Sequence, residues 1–163
     1  MLSCSIPDTL EFLILIMSRK ISVVVLLLSI LTITKSVAQQ ADAIVGRWIN
    51  PSGEGQIQIY KKGSLYFGKL AWIKTPNDET TGKPKTDIKN PNPSLQSRPI
   101  LGLELLKDFT FDGDDTYENG TIYDPKSGKT YSCKMTLNGS KLKIRGYIGI
   151  SLLGRTEVWS RVK

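Results

Sequence analysis

Four carboxylates are the side chains best suited to chemistry: Glu54, Asp87, Glu104 and Glu157. Two carboxylates held at a fixed separation perform acid–base or glycosidic reactions. These four share no spacing that places two of them on one site. The sequence has no histidine, which removes Ser-His-Asp and Cys-His catalysis and the commonest zinc ligand. The acidic stretch DGDDTYE at 112–118 invites a calcium reading. The EF-hand spacing requires Gly at its sixth position and Glu at its twelfth, and those positions hold Tyr117 and Tyr123. It reads as an acidic turn. SGEG and SGK lack the strand–loop–helix context of a phosphate loop. No catalytic residue, metal set or cofactor is expected.

What remains is recognition. Trp72, Tyr147 and Trp159 offer aromatic surface, and Arg98 or Arg155 a polar anchor. Together they suit a small apolar or amphipathic ligand. Asp87 and Asn90 join this set from a proline-containing segment, TDIKNPNPSLQSRP, whose side chains form local turns. Lys134, Lys143 and Arg145 make a basic face. The formal net charge is +7, from 22 Lys and Arg against 15 Asp and Glu. A basic balance favours anionic surfaces.

These residues sit in short apolar runs split by Gly, Pro, Asn and Asp, the all-β pattern. The strands predicted are 44–49, 55–60, 65–73, 100–106, 117–123, 130–137, 141–148 and 154–162. Eight successive strands with short connections point to an up-and-down barrel, with a sandwich as the other arrangement. The segment 74–99 is too long for a plain turn. It belongs inside the one domain, because 44–73 offers three strands and no independent core. Its prolines, Pro91, Pro93 and Pro99, stiffen it as a lid over the barrel mouth or a plug on its end.

Asn138-Gly139 predicts a tight hairpin. With that pair at its centre, Met135 faces Leu142 and Cys133 faces Ile144. Lys134 then faces Lys143, and Arg145 lies further along the same side. Opposed lysines repel, so they either splay into solvent or hold an anion between them. Cys133 falls on the inner face, where it is expected to act as a small hydrophobe.

The first residues read as a leader. Arg19-Lys20, about a dozen apolar residues and then Ser36-Val37-Ala38 form a secretory signal cut before Gln39, with Met17 as the natural start. The competing reading is a retained anchor. Residues 1–38 are therefore assigned as leader and 39–163 as one barrel domain. No Cys follows the apolar run, so lipid attachment there is not expected. For an exported chain the cell envelope, not nucleic acid, is the expected anionic partner. Oligomeric state is left open.

Several motifs stand together: GRW near residue 47, DIKNP with RPILGL, YDPKSGKTY, and RGYIG with GRTEVWSRV at the end. As a set, spanning about Ala43 to Val162, they resemble the secreted bacterial family catalogued as domain of unknown function 2147. The resemblance implies a periplasmic or secreted lipocalin-like β-barrel, without implying an activity. The matching positions include Gly46, Trp48, Asp87, Asn90, Arg98, Tyr123, Gly128, Arg145, Gly146, Tyr147, Trp159 and Arg161. The resemblance implies that many relatives carry Cys just before the glycines matched by Gly68 and Gly102. Here Phe67 and Leu101 stand there, so any family disulfide is lost. The G-x-W opening with a late Arg also resembles the wider lipocalin and fatty-acid-binding group. By that likeness Arg161 covers Trp48 and closes the barrel, a structural role.

The sequence thus supports a binding barrel first, and second an envelope-interaction domain with a filled core that uses its basic face on anionic lipid or an acidic partner. An enzyme comes third.

Overall fold

The computed structural model describes Ile14, residues 16–18 and residues 39–163. The expected leader lies outside the described residues, apart from Ile14 and residues 16–18, which are helical. Among the described residues no helix is long and apolar enough to cross a membrane.

Residues 40–163 form one closed antiparallel barrel. Its strands are β1 (Gly46–Ile49), β2 (Gly55–Lys62), β3 (Leu65–Ile73), β4 (Glu104–Phe111), β5 (Thr116–Asp124), β6 (Lys129–Asn138), β7 (Lys141–Tyr147) and β8 (Arg155–Arg161). Each pairs with the next, and β8 returns to β1. Closure leaves no free sheet edge. The up-and-down order puts the loops 50–54, 74–103, 125–128 and 148–154 at one end, here called the upper end.

The lower end is filled. Trp48, Tyr66, Phe109, Tyr117, Met135 and Leu142 are fully buried there. A 3-10 turn, Asp42–Ile44, caps it. That turn is why β1 starts at Gly46 and not at Ile44. Tyr117 donates to the Ala41 carbonyl at 2.7 Å and Tyr66 to the Asp42 carboxylate at 2.7 Å.

The seam between β1 and β8 is short, with the pairs Trp48↔Arg161 and Ile49↔Ser160. Side chains reinforce it. Trp48 donates its indole N–H to the Ile44 carbonyl at 2.9 Å. The Arg161 guanidinium lies 4.2 Å from the Trp48 ring centroid and donates to the Val45 and Ala43 carbonyls at 3.1 and 2.5 Å. Gly46 makes room for it: at φ +140 a Cβ here would stand 2.7 Å from Arg161 Nη1. The G-x-W motif is therefore a closure device.

Two predictions of register need correction. The loop of the β6–β7 hairpin is Gly139-Ser140, with Asn138 paired to Lys141. Gly139 has φ +55 and the residues beside it have negative φ, the pattern of a type II′ turn with Gly first. Asn138 therefore stays in the strand. Every cross-strand partner moves by two positions, which preserves the faces and changes the pairs. Met135 faces Ile144, Cys133 faces Gly146, and Lys134 faces Arg145, while Lys143 lies opposite Thr136. The expected Lys134–Lys143 opposition does not exist. Lys134 is ion-paired with Glu118, and the Arg145 guanidinium is occupied by the loop 148–154. No anion is needed between them.

The second correction is β4, predicted at 100–106 and found at Glu104–Phe111. Residues 100–103 make a turn in which Leu103 N–H donates to the Ile100 carbonyl and Gly102, at φ +88, donates to Leu70. The strand then runs on through the polar Lys107-Asp108, where the apolar run stops. Asp108 takes φ +61 at an irregular stretch of the β3–β4 ladder.

Cys133 is fully buried, and burial pushes its thiol up to about 12. A thiolate is the reactive form. The native protein is expected to resist a disulfide-exchange reagent at neutral pH and to react fully once unfolded; rapid native labelling would contradict this placement.

Candidate functional site

The upper half of the barrel is hollow. A cavity of about 1020 Å³ opens at that end, the size range of small-molecule sites. Aromatic side chains block the lower half, whereas the inward positions above them include Ile57, Leu70, Ile122 and Ile144, with Gly55 and Gly146, beside Tyr131, Glu157 and Trp159. Aliphatic groups and two glycines leave space that larger side chains would fill.

Most of the charge stands at the rim, and Glu157 lies one pair further in, opposite Ile144. Lys74, Lys85, Lys126 and Arg155 stand at the rim with Glu54 and Asp124. Glu54 and Lys126 pair at 3.4 Å. Their turns, β1–β2 and β5–β6, lie four strands apart in an eight-stranded ring, so this pair spans the mouth. The hydrogen bond from Lys126 and then its charge hold the Glu54 carboxyl below its ordinary range. Glu157 lies 3.5 Å from Arg155 and accepts the Trp159 indole N–H at 3.2 Å.

The ligand residues expected from sequence divide into three groups. Tyr147, Arg155 and Trp159 line the cavity. Trp72 does not: it is 39% exposed on the outer wall. Gln56 pairs with Trp72 but Ile57 pairs with Leu70, so Ala71 is the extra residue of a bulge. A bulge reverses the in–out alternation, which turns Trp72 outward and Ile73 inward. Asp87, Asn90 and Arg98 also lie away from the cavity, where they staple the long loop. The buried Asp87 carboxylate accepts from Tyr123 Oη at 2.6 Å, Asn90 Nδ2 at 2.8 Å, and Arg98 Nε and Nη2 at 3.0 and 2.8 Å. Gly128 permits the docking: its Cβ would stand 1.9 Å from the Lys89 carbonyl oxygen. The feet of the loop, at Lys74, Thr75, Lys85 and Ile100, border the cavity. Its middle is pinned to Tyr123, and the upper barrel is not plugged.

Sequence reasoning missed the aliphatic wall and the ion pair across the mouth. The two ends of that pair are 72 residues apart, and only barrel closure brings them together.

An eight-stranded antiparallel barrel with a sealed floor, a Trp–Arg closure and an apolar cavity under a charged rim is a lipocalin-like architecture. The chain belongs to the family described as uncharacterized protein conserved in bacteria (DUF2147), whose model matches residues 46–161. Among solved structures, protein HP1028 from the human pathogen Helicobacter pylori, described as belonging to the lipocalin family, is similar. It is 23% identical over 74% of this chain and 83% of its own, with a TM-score of 0.63. That likeness bears on the fold. No curated protein matches the chain.

Proposed function

We propose that this chain is an exported protein that binds a small apolar or amphipathic molecule inside the barrel. The carrying observation is the cavity, largely aliphatic in its depth, with most of its charge at the rim and one carboxylate, Glu157, in its wall. A molecule with an apolar body and one polar end matches that polarity. Trp159 supplies aromatic contact, Tyr147 borders the mouth, and Arg155 at the rim supplies a charge for the polar end. Export is supported by the small residues before Gln39 and by the barrel unit beginning at Gln40. N-terminal sequencing of the mature protein is expected to read from Gln39, and a mature chain retaining residues 19–38 would sink that half of the reading.

The binding half is tested by filling the cavity. A Cβ on Gly146 would meet Ile122 Cγ2 at 3.4 Å and Tyr131 Cβ at 3.7 Å, ordinary contact. Gly146→Leu therefore places an isobutyl group in the cavity without backbone strain. Anilinonaphthalene sulfonate, an apolar body with one anionic group, serves as probe. The parent is expected to enhance its fluorescence, and Gly146→Leu to weaken binding by on the order of tenfold or more, the effect of displaced apolar contact. Unchanged probe affinity in a folded Gly146→Leu protein would place the probe elsewhere and remove the cavity as the site. Native mass spectrometry of protein purified from its host would identify the natural occupant.

A further inference from the structure

The β7–β8 loop carries a cluster that the cavity does not explain. Within six residues Ile148, Ile150, Leu152 and Leu153 are 71, 60, 83 and 79% exposed. Single exposed apolar residues are ordinary, but four together mark a surface that something covers. Ile148 and Leu153 border the cavity mouth, whereas Ile150 and Leu152 do not line it. The last two have no partner inside the barrel.

The loop is held in shape. Arg145 donates through Nε to the Ser151 carbonyl at 2.7 Å and through Nη2 to the Leu152 carbonyl at 2.9 Å. Its Nη1 reaches Thr156 Oγ1 at 2.7 Å. Gly154 packs so closely that a Cβ would lie 2.6 Å from the Gly146 carbonyl oxygen. A cation expected on an outer basic face instead clamps the 3-10 turn Ser151–Leu153 from behind, with both leucines facing solvent.

We propose that this loop is a docking tip for an anionic bilayer surface. The four side chains are purely aliphatic. Protein hot spots favour Trp, Tyr and Arg, whereas a lipid interface rewards apolar area set beside cations. Between Pro125 and Thr156 the chain has seven Lys and Arg and no Asp or Glu. Of these, Lys126, Lys129 and Arg155 stand exposed at the upper end; Lys126 lies 3.4 Å from Glu54 and Arg155 3.5 Å from Glu157, solvent-exposed pairs that headgroups can replace. Anionic headgroups complement them. With the tip in the bilayer, the mouth bordered by Ile148 and Leu153 opens onto the membrane. The docking surface goes beyond the binding reading and does not require a loaded cavity.

Ile150→Ser combined with Leu152→Ser tests the tip, because neither residue lines the cavity. Co-sedimentation is measured with vesicles of phosphatidylcholine, with and without phosphatidylglycerol. The parent is expected to bind the anionic vesicles more tightly than the neutral ones. The double variant is expected to lose on the order of tenfold or more in affinity for them, the effect of withdrawing two apolar anchors. It should retain the parent's melting temperature and its anilinonaphthalene sulfonate binding, which separates this inference from the cavity reading. A Leu152→Trp protein should show a blue-shifted emission on adding the same vesicles. Equal binding by parent and double variant would overturn the tip, and equal binding to neutral and anionic vesicles would overturn the charge component. A parent that ignores vesicles but self-associates through the loop would replace the bilayer with a second copy of the chain.

Discussion

Trp48→Ala lowers the free energy of unfolding by about 3–5 kcal/mol, the usual cost of removing a buried large aromatic side chain. The indole is wholly buried at the floor, so its loss opens a cavity in the buried cluster beside Ile44 and Ile57. It also removes the bond to the Ile44 carbonyl and the ring beneath the Arg161 guanidinium. The position matters beyond burial, because Trp48 and Arg161 form half of the two-pair seam that closes the barrel. Arg161→Ala is expected to cost less, about 1–2 kcal/mol, since the stacked cation is lost and the carbonyls of Ala43 and Val45 turn to water. Arg161→Lys should recover only part of that, because an ammonium cannot stack and reach both carbonyls at once. Chemical denaturation followed by far-UV circular dichroism checks all three. A Trp48→Ala protein with the parent's midpoint would mean that the floor does not rest on this residue.

How much of this was legible from sequence depends on how far each feature reaches along the chain. Strand identity is local: alternation and turn residues suffice, and seven of the eight strands lie where the apolar runs suggested, while β4 is displaced. The closure was legible because Gly46, Trp48 and Arg161 form a recognisable motif. Faces survived the error in the β6–β7 register because partners moved by two, but the electrostatics did not. One residue's difference in which amino acid begins the turn, Gly139 in place of Asn138, removed the facing lysines. Trp72 was misplaced because the bulge at Ala71 has no local signature; alanine is not a bulge-forming residue by type. The cavity was invisible for a different reason. Hollowness is a property of all inward side chains in a layer, and a run such as Ile57, Ile122 and Ile144 is as compatible with a filled core as with an empty one. Asp87, Asn90 and Arg98 were singled out for the right segment and the wrong role. Their pattern encodes a loop that holds itself together.

That loop gives the second large effect. Asp87→Ala is expected to release the segment 76–99 from the barrel wall. Four donors converge on the carboxylate, from Tyr123, Asn90 and two nitrogens of Arg98. Breaking a buried ion pair from one side costs several kcal/mol, but Arg98 is 36% exposed and turns to water once freed. The cost is therefore about 2–3 kcal/mol, borne by loop docking more than by the barrel. Cleavage of a transiently opened segment follows its open population. Limited proteolysis within the loop should then speed up by roughly 30- to 150-fold, while the strands stay protected. Acid should produce the same release in the parent. Burial acts to raise the Asp87 pKa, and the hydrogen bonds from Tyr123, Asn90 and Arg98 outweigh it and hold the group below the ordinary value. A depressed folded pKa means the stabilisation is complete above the unfolded value, about 3.9. It is lost as pH falls through the folded one. Loop protection in the parent is expected to persist from neutral pH to about 4 and to fall below that. In Asp87→Asn, which keeps the shape without the charge, protection should be weaker at neutral pH and lack this acid-dependent step. If the parent and Asp87→Ala were cleaved at the same rate, or if Asp87→Asn kept the acid-dependent step, the loop would be held by its packing on Gly128 and not by the buried carboxylate.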